Sequence, residues 1–414
     1  MIDSNYNTPA QVLVAIDIAK FNHEVLIRHA GAKDKRLKIP NSLEGYRELL
    51  RSLPAPGPHP VICGFEPTAD YHRNIAHWLA NEGMQMRLVS SLACARAREM
   101  IFKSRDKNDR RDSDVIMYLL AQNMSQPFHD PLRSGIMDIQ EICNTYHQIV
   151  LSRSRVTHSL LNHGIALLFP EIERFYHNSR SEWFCEFLLK FPTPASIIRY
   201  RKQTFVKRAW KVVGRKTDKQ RFLEELYELA ETSVALPVPR DSLTVDMFKL
   251  QLKRFLDLTH QRKKLEALAD TLLSERTDYQ RLRTLPGVGP IIALMIIAEA
   301  GDLKRFNHHR QFLSFCGFNL AAQQSGQHKG RYQLSKRGNA RLRYAFWLAA
   351  NSAIRRGENS FREKFSRYTA GNLEDPDIKR KARIAVAAKM ARVAFSLVKN
   401  DREYRGHYEF GYGT

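Results

Sequence analysis

The sequence predicts an α/β domain at the N-terminus followed by a mostly α-helical remainder. Two observations carry this expectation. Short runs rich in β-branched residues alternate with helical patterns only as far as about residue 90. Beyond about residue 135, apolar residues recur every three or four positions over two long stretches, as amphipathic helices require.

Taken in order, QVLVAIDIA (11–19), EVLIRHA (24–30) and KRLKIP (35–40) read as a three-strand meander broken by short polar segments. NSLEGYRELLRSL (41–53) offers Asn41 or Ser42 as a cap and spaces Leu43, Tyr46, Leu49, Leu50 and Leu53 helically. A Pro-rich break precedes the buried-looking strand VICGFE. A helix over about 69–83 and the strand MQMRLVS (84–90) follow. The stretch KNDRRDSDVI (107–116) then opens another helix. The order β, β, β, α, β, α, β, α is the ribonuclease H-like layout, whose metal site forms at the ends of the first and fourth strands and on a late helix.

Acids stand at those three places. Asp17 interrupts VLVAIDIA, Glu66 ends HPVICGFEP, and Asp109 and Asp112 lie three apart, on one helix face. An ionised carboxylate in an apolar strand is strongly disfavoured unless a cation, a hydrogen-bond network or a metal meets it. Four such acids converging on one point would hold a divalent ion. Asp106 and Asp114 flank the pair, and acids at a helix start also complement its dipole. The spacing K-x-D-x-x-D selects Asp109 and Asp112.

Two long helices are expected next, over about 135–168 and 243–273, forming an antiparallel pair. Between them lies an insertion at about 170–242 with a short helix (221–231), a Pro-rich stretch and the run RYRKQTFVKRAWKVVGRK (199–216). That run holds eight Lys or Arg, Lys207, Arg208 and Lys211 among them, with Tyr200, Phe205 and Trp210 interleaved and no acid. It reads either as a surface that neutralises phosphates and stacks on unpaired bases, or as a solvated face around buried aromatics. The last third opens with LRTLPGVGPIIALMIIAEAGDLKRF, whose PGVG turn is helix-hairpin-helix-like. Gly287 and Gly289 there would let backbone N–H groups approach a phosphate, or make a plain tight turn. Ser325 follows in a polar, Gly-containing loop, a turn by composition. Lys336, Arg337, Arg341 and Arg343 then either clamp DNA or line a solvated helix face. The expected domains are 1–130, 131–280 and 281–414.

Composition narrows the function. There are 66 Lys plus Arg against 43 Asp plus Glu, a net charge of +23 and a pI of about 9.9. A polyanionic partner follows. With 43% hydrophobic residues the chain can still build cores, so a disordered basic tail is excluded. No apolar stretch reaches the length of a membrane span, roughly 18 residues or more. MIDSNYNTPA carries no secretory pattern, so the cytoplasm is the expected compartment. Five scattered cysteines argue against a disulfide framework or zinc site.

AIDIAK, GFEPTADYH and KNDRRDSD in the first third, with LPGVGPIIA, FLSFCGF, QQSG and LSKRGNARLR in the last, resemble the DEDD transposases of the insertion-sequence family one-ten. Piv-type site-specific invertases are similar. The likeness spans about 11–124 and 281–355, and the insertion looks larger than the family's usual connection. Asn108 stands where the family commonly has Thr, and Ser113 where it usually has Ala. The resemblance implies that Asp17, Glu66, Asp109 and Asp112 are the tetrad of a RuvC-like domain holding two Mg²⁺ or Mn²⁺ ions, and that Ser325 is a nucleophile. It also implies a covalent protein–DNA intermediate, a structured guide RNA encoded by the element, and a bacterial, nucleoid-associated protein. A homo-oligomer, dimer or tetramer, is expected. Two other readings stay open on the residues: a RuvC-like, structure-specific endonuclease that uses water, and a nucleic-acid-binding protein with a vestigial metal site.

Overall fold

The computed structural model describes residues 12–29, 31–53, 61–102, 109–176, 182–214, 218–321, 324–325, 328–329 and 333–406, with the backbone alone at 109–110, 176, 324–325 and 328–329. Asp106 lies outside the described residues. The chain forms two compact units, Met1–Gly135 and Ile136–Thr414.

The N-terminal unit is built on a six-stranded sheet. Strands β1 (Leu13–Asp17), β2 (Asn22–Arg28) and β3 (Lys35–Pro40) form the expected antiparallel meander. After helix α1 (Leu43–Ser52), strand β4 (Ile62–Phe65) pairs parallel with β1. Helix α2 (Tyr71–Asn81) leads to β5 (Gln85–Leu88), which pairs parallel with β4. Helices α3 (Ser91–Phe102) and α4 (Asp109–Ala121) precede β6 (Gln126–Pro127), and the sheet order is β3-β2-β1-β4-β5-β6.

Period-two alternation gives this sheet two buried faces. Val14, Ile16, Val25 and Ile27 pack with Tyr46, Leu49, Ile75 and Leu79 of α1 and α2. Ala15 and Leu26, on the other face, pack with Cys94, Ala97, Val115, Ile116 and Leu119 of α3 and α4. A Cβ on Gly64 would lie 2.4 Å from Leu120, so the glycine in β4 is what lets α4 seat on the sheet. Ser42 caps α1, its Oγ accepting from the Gly45 N–H at 3.3 Å. Helix α3 and strand β6 were not foreseen. The buried residues of α3 are the small Cys94 and Ala97, while Leu92, Met100 and Ile101 are exposed, so no apolar stripe betrays the helix. Strand β6 has only two residues.

In the second unit, α5 (Met137–Ser159) continues through a π-helical turn, Leu160–Ile165, into Ala166–Leu168. The expected uninterrupted α-helix is therefore wound differently near its end. A Cβ on Gly164 in that turn would sit 2.5 Å from the Phe248 ring, so the distortion falls where a side chain of the partner helix packs against bare backbone. The insertion holds short helical turns and then α6 (Glu182–Lys190), α7 (Pro194–Ile198), α8 (Lys202–Ala209) and α9 (Lys219–Glu231). It is more ordered than one short helix. Phe184, Phe187, Phe191, Phe205 and Phe222 make an aromatic core shared with Val156, Leu160, Phe248, Leu252 and Phe255 of the long helices.

Helix α10 runs Leu243–Leu273, as the periodicity predicts. Tyr146 Oη donates to Glu266 Oε1 at 3.1 Å and Arg153 Nε to Thr259 Oγ1 at 3.0 Å, and Gly164 meets Phe248. Rising numbers on α5 meet falling numbers on α10, so the pair is antiparallel. Helices α11 (Thr277–Arg283), α12 (Pro290–Ala300), α13 (His309–Phe315), α14 (Ala340–Arg355), α15 (Ser360–Thr369) and α16 (Pro376–Lys399) complete the unit. They close over a second core that includes Leu294, Ile297, Phe312, Phe346 and Met390. All five cysteines are buried and unbridged. Among the described residues no helix is long and apolar enough to cross a membrane.

Candidate active site

Strand register brings the first two acids together. Ile16 pairs with Phe65 across parallel β1 and β4, so Asp17 and Glu66, each one residue further on, stand side by side at the same sheet end. By alternation Asp17 shares the face of Ala15, the face covered by α3 and α4. Glu66 comes to the same side, for its carboxylate reaches the Cys94 thiol of α3. Burial, reinforced by that carboxylate, pushes the thiol's pKa well above its ordinary value.

Asp112, on α4, is 4% exposed. Its Oδ1 accepts from Arg98 Nε at 2.8 Å and from Arg98 Nη2 at 2.5 Å. A buried carboxylate demands a counter-charge, and here a guanidinium one helix away supplies it. Asp109 is the first residue of α4, one turn before Asp112. Asp114 turns elsewhere and pairs with Arg36 of β3, which sets it apart from the buried Asp112.

Among the described residues no three His, Cys, Asp or Glu side chains are gathered tightly enough to hold a metal ion. By chemistry the donors suit one: two strand-end carboxylates and a buried helix carboxylate face the same side of the sheet, hard oxygen ligands of the kind divalent magnesium or manganese takes, with Asp112 here neutralised by Arg98. Sequence reasoning missed Arg98 and Cys94, which belong to a helix it did not foresee. It also passed over Glu24, which lies opposite Asp17 in the β1–β2 register and pairs with Lys38 at 3.3 Å. Asp17, Glu24 and Lys38 line a cleft of about 200 Å³ at this strand end.

In the second unit Ser325 lies on a strand and not in an open loop. Two short antiparallel ladders nest there. β7 (Leu320–Ala321) pairs with β10 (Gln333–Leu334), and β8 (Gln324–Ser325) pairs with β9 (His328–Lys329). Ser325 is registered against His328.

The PGVG turn is shaped by packing at its first glycine. Gly287 has φ +86°, and a Cβ there would come within 2.4 Å of the Ala349 carbonyl of α14. Its freedom serves helix contact. Gly289 caps α12, and a Cβ on it would meet nothing. The basic residues divide too. Arg341 pairs with Glu299 at 2.9 Å and donates to Asn144 at 2.6 Å, and Arg343 donates to the Cys316 and Lys336 carbonyls. Lys336 and Arg337 are exposed. In the insertion, Arg208 lies over the Tyr200 ring at 4.6 Å, while Lys207 and Lys211 are exposed. The three interleaved aromatics are not equivalent, because helix phase turns Phe205 into the core and leaves Trp210 42% exposed.

Residues 14–166 match a transposase family model of the DEDD, IS110 type, and residues 279–366 match the transposase IS116/IS110/IS902 family. Over 45% of its length the chain is 29% identical to the transposase for insertion sequence element IS1111A of Coxiella burnetii, covering 50% of that protein. It is 26% identical, over 62% of its length, to the insertion element IS116 uncharacterized 44.8 kDa protein of Streptomyces clavuligerus, covering 63% of it. Similarity to the insertion element IS110 uncharacterized 43.6 kDa protein of Streptomyces coelicolor reaches further, at 22% identity over 82% of this chain and 83% of that one. The chain thus spans half to under two thirds of the first two of these relatives.

Proposed function

Because this chain belongs to the IS110 family of insertion-sequence transposases, we propose that it cuts and rejoins DNA through a serine nucleophile and a carboxylate metal site. The observation that supports the reading is that Asp17, Glu66 and Asp112 lie on one face of the sheet, within the segment matched to a DEDD transposase. The N-terminal unit is read as ribonuclease H-like; an antiparallel meander continued by two parallel strands, with helices on both faces, supports that reading.

Asp17, Glu66, Asp109 and Asp112 would hold two Mg²⁺ or Mn²⁺ ions, which neutralise a phosphodiester and lower the pKa of an attacking hydroxyl. Ser325 Oγ attacks the phosphorus in line. Its bond to phosphorus forms as the bond to one DNA oxygen breaks; the serine hydroxyl gives up its proton to solvent, and the departing DNA oxygen takes one up to become a hydroxyl. A second DNA hydroxyl then attacks the phosphoserine and regenerates Ser325. Each exchange swaps one phosphodiester for another, so no external energy source is needed. Lys336 and Arg337, with the open Gly289 turn, are proposed to meet DNA phosphates, and Gly287, Arg341 and Arg343 to shape that surface. A structured, element-encoded RNA that pairs with donor and target DNA is part of the reading, as is a dimer or tetramer.

The test is a denaturing gel of protein with labelled element-end DNA, element RNA and Mg²⁺. Wild type should give a covalent adduct that Ser325→Ala and Asp109→Ala both lose. Cleavage without an adduct, persisting in Ser325→Ala, would replace the reading with a water-using endonuclease. Mixing Asp17→Ala and Ser325→Ala chains reports whether different subunits complement one another.

A further inference from the structure

Residues 167–278 fall between the two family-matched segments, and this region contains a cleft of about 730 Å³ between α8 and α9. Lys202, Lys207, Trp210 and Lys211 line one side, and Gln220 and Glu224 the other. The volume is within the range of small-ligand sites, roughly 300 to 1,000 Å³.

Trp210 is the most solvent-exposed of the four tryptophans, at 42%, whereas Phe205, five residues earlier, is wholly buried. A large flat ring kept at the mouth of a cleft loses the burial that normally stabilises it. Its place is fixed all the same. Its backbone N–H donates to the Val206 carbonyl at 2.9 Å, its carbonyl accepts from Lys219 Nζ at 3.0 Å, and that ammonium lies 5.6 Å from the ring centroid. Lys207 and Lys211, four residues apart around the end of α8, both reach solvent beside it. Lys202 is paired with Glu228 at 2.9 Å. Glu224, on the opposite wall, is half-buried and accepts from the Gln220 amide of its own helix. On the wall that carries the ring, the exposed charges are those of Lys207 and Lys211.

We propose that this cleft binds an unpaired nucleotide of a single-stranded nucleic acid, with its base stacked on Trp210 and its phosphates against Lys207 and Lys211. An aromatic platform flanked by cations is the arrangement that holds single strands with little regard to sequence, because every base offers a π-face and every linkage a phosphate. Duplex DNA keeps its bases stacked internally and has none to lay on the ring. Binding here requires no strand cleavage, so the proposal stands or falls apart from the proposed transposase chemistry.

The experiment uses the full-length chain with short oligouridylate and oligothymidylate probes carrying a 5-iodo base, followed by photo-cross-linking, peptide mapping and tryptophan fluorescence. Cross-links should map to Trp210, with indole quenching that both Trp210→Phe and Trp210→Ala lose, while binding is retained in Trp210→Phe and weakened in Trp210→Ala. Stacking on one base predicts about 5- to 150-fold weaker binding for Trp210→Ala. Lys207→Glu with Lys211→Glu should flatten the slope of log affinity against log salt by about 1.4, two phosphates' worth. RNA and DNA probes that bind alike support recognition of base and phosphate alone, and a preference for RNA supports the same site with an added contact to the 2′-hydroxyl. Cross-links mapping only elsewhere, affinity unchanged in Trp210→Ala, or equal competition by polyglutamate, which would mark an acidic-protein site, each overturn the proposal.

Discussion

Arg98→Met is the sharpest probe of the carboxylate cluster. The substitution keeps much of the side chain's length and apolar stem but removes both N–H groups that reach Asp112 Oδ1, at 2.8 and 2.5 Å. With Asp112 4% exposed and the Arg98 side chain 13% exposed, water cannot readily take over. Stripping the partner from a buried ion costs about 3–5 kcal/mol. For a cooperative unit of this size that shifts Tm down by roughly 6 to 20 °C. Asp112→Asn should cost less, since both Arg98 bonds end on Oδ1, which the amide oxygen can replace, and the more exposed Arg98 can be partly hydrated. If the tetrad takes divalent cations, Mg²⁺ at a hundredfold excess over its Kd should stabilise Arg98→Met by about 2.7 kcal/mol, and wild type, whose Asp112 is already paired, by less. Differential scanning fluorimetry with and without Mg²⁺ measures all three. Arg98→Met melting with wild type would refute the bridge as Asp112's counter-charge. A Mg²⁺ response equal in both would refute the idea that metal and guanidinium serve the same carboxylate.

Three further outcomes are expected. Gly287→Ala should lose stability, through its left-handed φ and a Cβ 2.4 Å from the Ala349 carbonyl, whereas Gly289→Ala should melt with wild type; equal melting temperatures would remove Gly287 from helix packing. Gly164→Ala drives a methyl to 2.5 Å from the Phe248 ring, and overpacking of this kind costs about 1–3 kcal/mol, recovered in part by Phe248→Leu; a urea series on the single and double variants reads the coupling. Burial holds the His23 pKa below its ordinary 6.5, and its Nδ1 accepts from the Ala19 N–H at 3.3 Å. The unfolded chain therefore takes up the proton first. The stability contributed by neutral His23 is present above about pH 6.5 and is lost as pH falls below it, so urea midpoints at pH 7.5 and 5.5 should diverge more for wild type than for His23→Phe.

Much of the N-terminal sheet was legible because its strands alternate strictly, so that Val14 and Ile16 face one helical layer while Ala15 faces the other. Asp17 and Glu66 were legible for the complementary reason that each interrupts an apolar run. Arg98 was not. Its meaning depends on a helix whose buried residues are small, and on a partner fourteen positions away. The PGVG glycines look alike in sequence, and only the space around each backbone separates the packed one from the open one. Tyr200, Phe205 and Trp210 also read as equals until helix phase sorts them into a ring under arginines, a core residue and an exposed platform. Ser325 stood in a composition typical of turns, and its strand has two residues, below what periodicity resolves.

The antiparallel course of α5 and α10 bears on how such a chain can change over generations. Where Gly164 meets Phe248, the backbone departs and returns at neighbouring points. The segment between them is carried by the helix pair as its stem and also packs back along it, Glu182 pairing with Lys263 at 2.6 Å. Such a segment can be lengthened, trimmed or exchanged while the stem keeps its spacing, provided that Leu160, Leu252 and Phe255 stay covered. Selection can thus vary the intervening segment and leave the two family-matched segments under their own separate constraint.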